Sequence, residues 1–191
     1  MRVISGRFKG FSLPPAGTGT RPTTDRTKEA LFSYLDARGM LDDARVLDLY
    51  AGTGALGIEA LSRGARELVA VEYAGQAVAS LNATFVSLRR QRAWSEILAV
   101  HALRKRAEAY AQRYRGEAFD VIFIDPPYAL SSEDCDALLR SLCSGSATHA
   151  GSVIILERST RSPDPRPPEG WQVADRRHYG ETAVWFLEML A

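Results

Sequence analysis

Apolar positions along this chain follow two periods. From residue 45 onward, short apolar runs of strand length alternate with longer stretches whose apolar residues recur at helical spacing. The runs predict strands at 45–50, 67–72, 96–101, 119–125 and 152–157, and the intervening stretches predict helices at 56–63, 75–88, 103–114 and 133–142. Val121-Ile122-Phe123-Ile124 and Val153-Ile154-Ile155-Leu156 lack polar alternation, which suits parallel strands covered by helices on both faces. The pattern changes near the end, where segments 171–177 and 183–190 are joined by Tyr179-Gly180-Glu181, a hairpin signal reached through the Pro-rich stretch 162–170. At the start, 2–5 and 11–13 read as two short strands around Gly6-Arg7-Phe8-Lys9-Gly10. Pro14, Pro15, Gly17 and Gly19 make a loop, after which Thr24 caps a helix over 25–36 with Ala30, Leu31, Tyr34 and Leu35 inward. The fold class is therefore α/β: a doubly wound, mostly parallel sheet with a C-terminal antiparallel hairpin and a small N-terminal β-hairpin. One domain is expected over 1–191, with the hairpin extension at 1–20 and a Rossmann-like core at 21–191.

Composition narrows the setting. With 191 residues, 46% of them hydrophobic and 25% charged, the chain can bury a full core without metal or disulfide staples. No apolar run approaches the ~20 residues needed to span a bilayer, and residues 1–10 lack a signal peptide's apolar stretch, so a cytoplasmic protein with no membrane partner is expected. Cys135 and Cys143 form no CxxC pair, and His101, His149 and His178 are scattered, so buried thiols and no metal are expected.

The net charge of +1 alone argues against a nucleic-acid partner, but the charge is uneven. Arg2, Arg7, Lys9, Arg21, Arg26 and Lys28 stand against Asp25 alone, a local +5. Arg2, Arg7, Lys9 and Arg26 are the candidate RNA contacts of this segment. Two further clusters, Arg89/Arg90/Arg92 and Arg104/Lys105/Arg106, suit either a solvated face or RNA.

Two motifs carry chemistry. Strand 45–50 runs into Asp48-Leu49-Tyr50-Ala51-Gly52-Thr53-Gly54-Ala55-Leu56-Gly57, a GxGxxG where a strand gives way to a helix. Such glycines let backbone approach a ligand, and the helix N-terminus offers free N–H groups. Glu72 follows Gly52 by 20 residues and ends the next strand, the interval at which an acid reaches ribose hydroxyls. These features fit NAD as well as S-adenosylmethionine. Asp48 separates them, because an acid before the glycines suits a cofactor with a cationic amino-acid portion and repels a pyrophosphate; its competing reading is a structural hydrogen bond at a helix terminus.

The second motif is Asp125-Pro126-Pro127-Tyr128, at the end of the fourth strand on the edge where ligands bind. The prolines stiffen it, so the Asp125 carboxylate and Pro126 carbonyl can be aimed at one small donor. An exocyclic NH2 of a nucleobase is such a donor. Its delocalised lone pair becomes nucleophilic when both N–H bonds are engaged, and Tyr128 can stack on the flipped base.

The glycine loop resembles motif I of the class I methyltransferases, and the tetrapeptide resembles motif IV of the amino methyltransferases, a group acting on DNA adenine, DNA cytosine, RNA guanine or protein glutamine. Together with residues 1–9, Arg21-Pro22-Thr23-Thr24-Asp25-Arg26, segment 48–63 and Tyr179-Gly180-Glu181-Thr182, they look like the RsmD family of small-subunit ribosomal RNA guanine-N2 methyltransferases, over nearly the whole chain. The resemblance implies a seven-stranded class I fold, S-adenosylmethionine as cofactor, and 16S ribosomal RNA, in the small subunit or its precursor, as substrate of a monomeric enzyme. It implies cofactor contacts from Asp48, Ala51, Gly52, Thr53, Gly54, Gly57, Glu72 and Tyr73, and from Arg21, Thr23 and Thr24 over the cleft, with Asp125, Pro126, Pro127 and Tyr128 as the catalytic set. Two departures stand out: His101-Ala102-Leu103 where the third strand often ends in an acid that contacts adenine, and a single Gly6 where a Gly-Gly pair is frequent. The alternative enzyme is a DNA adenine-N6 methyltransferase, although no target-recognition insertion fits after Asp125. An inactive RNA-binding module or an NAD oxidoreductase explains the glycine loop but not the tetrapeptide.

Overall fold

The computed structural model describes residues 1–15 and 25–190, with the side chains of 25 and 26 left aside. After helix α1 (Asp25–Asp36), strands and helices alternate: β1 (Arg45–Leu49), α2 (Ala55–Arg63), β2 (Glu67–Glu72), α3 (Gly75–Arg89), β3 (Ala99–Arg104), α4 (Ala107–Arg113), β4 (Val121–Ile124), α5 (Ser132–Ser144) and β5 (Val153–Ser159). The hairpin β6 (Trp171–Tyr179) and β7 (Thr182–Met189) completes a seven-stranded sheet in the order β3-β2-β1-β4-β5-β7-β6. The first five strands are parallel, and β7 joins β5 antiparallel. This is the doubly wound sheet with a terminal antiparallel hairpin that the alternation predicted, and the seven-stranded class I topology that the resemblance implied.

Strand alternation sends successive side chains to opposite faces. Val46, Val121 and Phe123 join one buried cluster with α1, α2 and α3, while Leu47, Leu49, Ile122 and Ile124 join the other with α4 and α5. The order reverses between β1 and β4, so a crevice opens at their carboxyl ends.

The third strand lies three residues later than its apolar run suggests. Ile97 is exposed, and the N–H of Leu98 turns back to the carbonyl of Ser95, so pairing starts at Ala99 and continues until Arg104 faces Glu72. As an edge strand β3 has one neighbour, and its burial does not follow a clean alternation. The helix expected from 103 consequently starts at Ala107.

The first thirteen residues form a short doubled strap rather than a regular ladder, with one bridge between Arg2 and Ser12. Val3, Phe8 and Leu13 enter the same cluster as the sheet. Fully buried Glu59 of α2 accepts the N–H groups of Ile4 (2.8 Å) and Ser5 (3.0 Å) and pairs with Arg63 (2.8 Å) and Lys28 (3.6 Å). Lys28 also donates to the carbonyl of Arg2 at 3.0 Å, tying strap, α1 and α2 together.

Candidate functional site

The residues singled out from the two motifs converge on the carboxyl edge of β1, β2 and β4. Leu49 lies opposite Ile124, so the chain after β1 and the chain after β4 leave the sheet side by side.

The three glycines of the loop do different work. A Cβ at Gly57 would fall 2.3 Å from Leu68 Cδ1 and 3.0 Å from Asp48 Oδ2, so this glycine lets α2 pack closely on the sheet. Gly54 is left-handed (φ +75°), and its Cβ would strike Leu81 Cδ2 at 2.7 Å. Gly52 (φ +53°) meets nothing nearer than the Tyr50 carbonyl at 3.9 Å, so its free side is the one a ligand can approach. Ala51 is buried and donates its N–H to the Val71 carbonyl, while Thr53 is half-buried.

Asp48 is 2% exposed, and its Oδ2 accepts the N–H of Gly57 at 3.0 Å, in the first turn of α2. That bond caps a helix with no side-chain cap at Gly54. Burial pushes the Asp48 carboxyl up to about 8 despite this bond, and the charges of Asp125 and Glu72 add to the push. A cation placed here would relieve all three carboxylates.

Glu72 is held by three backbone donors: Gly52 N–H on Oε2 (3.1 Å), and Tyr73 (2.7 Å) and Ala74 (2.8 Å) on Oε1. The carboxylate thus links the glycine loop to the start of α3, with its orientation set before any hydroxyl arrives. Tyr73 is exposed, and the guanidinium of Arg106 lies 4.8 Å from its ring centre. His101 faces Val69 within β3 and does not end the strand; Arg104, Lys105 and Arg106 occupy the edge there.

At the end of β4, Asp125 is half-buried, Pro126 buried, Pro127 exposed and Tyr128 66% exposed. Burial pushes the Asp125 carboxyl up to about 6. The turn is closed by Leu130 N–H on the Pro127 carbonyl (2.9 Å), and Arg158 of β5 donates to the Leu130 carbonyl (2.9 Å). Ser131 then caps α5 by accepting the N–H of Asp134 at 3.0 Å. Ser159 lies opposite Thr182, so Tyr179-Gly180-Glu181-Thr182 also belongs to this edge.

The basic candidates divide. The N–H of Arg7 bonds to the Ser62 carbonyl at the far end of α2, so Arg7 and Lys9 lie toward the opposite edge of the sheet from Asp125. Arg2 is exposed, with its carbonyl on Lys28. Arg21, Thr23 and Thr24 lie outside the described residues, as does the side chain of Arg26. Tyr50, Glu108 and Arg158 have no role readable from the sequence, because each acts through a partner distant in the chain, and Arg106, noted there only within a basic cluster, lies against the Tyr73 ring.

Among the described residues no His/Cys/Asp/Glu cluster could hold a metal, and no helix is long and apolar enough to cross a membrane.

The profile of the family described as conserved hypothetical protein 95 matches residues 1–188. The chain is 35% identical over 189 residues to "Putative rRNA methyltransferase YlbH" of Bacillus subtilis, covering 96% of each chain. It is 29% identical over 184 residues to ribosomal RNA small subunit methyltransferase D of Escherichia coli K12, covering 96% of this chain and 87% of that one. A solved structure of a hypothetical protein from Thermus thermophilus superposes with a TM-score of 0.80 at 30% identity and 99% coverage of both chains. Magnesium protoporphyrin IX methyltransferase of Synechocystis with bound SAM shares the fold alone, at 14% identity and a TM-score of 0.65 over 90% of this chain and 87% of that one. Matched along nearly its whole length, the chain belongs to the conserved hypothetical protein 95 family, the RsmD family of class I methyltransferases that its motifs resemble.

Proposed function

We propose that this protein methylates ribosomal RNA with S-adenosylmethionine as cofactor, and that the accepting atom is the exocyclic N2 of a guanine in 16S RNA. One observation carries the reading: a glycine loop with its ribose-spaced acid opens beside a stiff Asp-Pro-Pro-Tyr turn, on strands paired Leu49 to Ile124. The names of the E. coli and B. subtilis relatives support ribosomal RNA as substrate.

The residues fit the cofactor. Gly52 leaves space for backbone to meet a ligand, Glu72 presents an oriented carboxylate for ribose hydroxyls, and Asp125 and Glu72, with Asp48 once a bound cation draws off its proton, suit a sulfonium. Bound S-adenosylmethionine supplies an electrophilic methyl group. The chain's own residues prepare the nucleophile. Asp125 and the Pro126 carbonyl accept the two N–H bonds of the amine, which withdraws its lone pair from the ring and localises it on nitrogen. As the N–C bond forms and the S–C bond breaks, the surplus proton leaves nitrogen for the Asp125 carboxylate or water. Tyr128, exposed beside the turn, offers a stacking face for the base.

The test is radiolabelled methyl transfer to free 16S RNA, small ribosomal subunits and DNA, with the wild type and Asp125→Ala. Label entering RNA or subunits, and lost in the variant, supports the reading. Label entering DNA alone would favour the adenine-N6 alternative.

A further inference from the structure

Beside the glycine loop, backbone strain falls on a residue that is not glycine: Tyr50 sits at φ +59°. A residue with a Cβ occupies the left-handed region at a cost that its surroundings must offset. Simple alternation would send side chain 50 to the face of Val46 and Asp48, above α2. The left-handed turn instead lays the Tyr50 ring against the cluster under α4 and α5. There its hydroxyl donates to Glu108 Oε1, in the first turn of α4, at 2.6 Å. Burial and that carboxylate raise the hydroxyl far above its ordinary range, so it stays a donor, and the Asp134 carboxylate in the first turn of α5 adds to the push.

One side chain therefore ties the segments that follow β1 and β3, and its ring packs on the cluster that α5 shares. Tyr50 begins the glycine loop after β1, Glu108 anchors it to α4 after β3, and α5 follows the catalytic turn after β4. Since Leu49 lies opposite Ile124, Tyr50 and Asp125 are the first residues past a paired register. We propose that Tyr50, tethered by Glu108, is a positioning residue that sets the glycine loop against the Asp125–Tyr128 turn. Cofactor affinity and methyl transfer then depend on a phenol–carboxylate bond on the sheet face away from Asp48. This rests on the methyltransferase reading above.

Tyr50→Phe keeps the ring and deletes the hydroxyl. Calorimetry should show S-adenosylmethionine Kd rising about three- to tenfold, the span expected of one net hydrogen bond at a partly exposed site. Single-turnover transfer at saturating cofactor should slow by a similar factor, while the thermal midpoint falls by no more than about 2 to 4 °C, the worth of one such bond in a domain of this size. Glu108→Ala should match it, Glu108→Gln should recover most of the loss by keeping an acceptor, and Tyr50→Phe/Glu108→Ala should be no worse than either single change. Kd and rate within twofold of wild type in Tyr50→Phe would overturn the proposal, as would losses that multiply in the double variant. A wild type that binds no S-adenosylmethionine overturns the proposed function itself, and is seen before any variant is made.

Discussion

Glu59→Ala tests how the N-terminal strap is held. Glu59 is 0% exposed, accepts three donors, two strap N–H groups and Arg63, and forms an ion pair with Lys28 at 3.6 Å. Its removal leaves Lys28, itself 1% exposed, with a buried charge facing the Arg2 carbonyl and no carboxylate partner among the described residues, and strips the N–H groups of Ile4 and Ser5 of their acceptor. Breaking a buried pair from one side costs about 3 to 5 kcal/mol. For a domain of this size each kcal/mol is worth about 2 to 4 °C, so the midpoint should fall by about 6 to 20 °C. Urea and thermal unfolding give both figures. The diagnostic comparison is Lys28→Met, which removes the cation but fills its volume. Glu59→Gln/Lys28→Met should be more stable than Glu59→Gln alone, because the orphaned charge is gone. A loss below about 1 kcal/mol in Glu59→Ala, or no relief in the double variant, would refute the buried-charge reasoning. Cutting away residues 1–12 is for the same reason a poor probe of RNA contact, since it also empties the seats of Val3 and Phe8.

Gly52→Ala adds a methyl group on the open side of the loop, so cofactor affinity should fall by tenfold or more while φ +53° costs stability about 1 to 2 kcal/mol; unchanged affinity by calorimetry would remove Gly52 from the site. Asp48, raised from 3.8 to about 8, favours its protonated state in the folded protein, so its contribution to stability is full below about pH 3.8 and is lost progressively as pH rises from there through about 8. A bound sulfonium reverses the preference, and cofactor binding at neutral pH should release a proton; binding heats that do not vary with the ionisation enthalpy of the buffer would contradict this, and Asp48→Asn should abolish the variation. Asp125 must be ionised to accept the amine, so transfer should decline as pH falls through about 6, whereas a flat rate across that value would remove the carboxylate from the step. Tyr128→Ala should weaken substrate use by about 1 to 3 kcal/mol with cofactor affinity kept, checked by KM for RNA against Kd for cofactor.

The strands in the middle of the sheet were legible because both their faces are buried and their sequences are continuously apolar: β4 and β5 fall inside the spans read from sequence or within two residues of them. The edge strand β3 was displaced because Ile97 looks like a strand residue and is exposed, while Arg104 looks like a helix start and pairs with Glu72. The site motifs were legible because each is a contiguous run whose backbone does the work, as Gly52 and Pro126 do. What escaped were bonds between distant positions. Tyr50 to Glu108 spans 58 residues and Ile4 to Glu59 spans 55, and neither leaves a local pattern. Charge counting found the basic N-terminal segment but not its direction: the Arg7 to Ser62 bond carries the turn away from Asp125.

The methylated atom is decided by nucleoside mass spectrometry after transfer to 16S RNA or small subunits. N2-methylguanosine should be formed by the wild type and be absent with Asp125→Ala. N6-methyladenosine as the sole product would contradict the guanine assignment, and modification of ribose or of a ring carbon would contradict the amine chemistry assigned to Asp125 and Pro126.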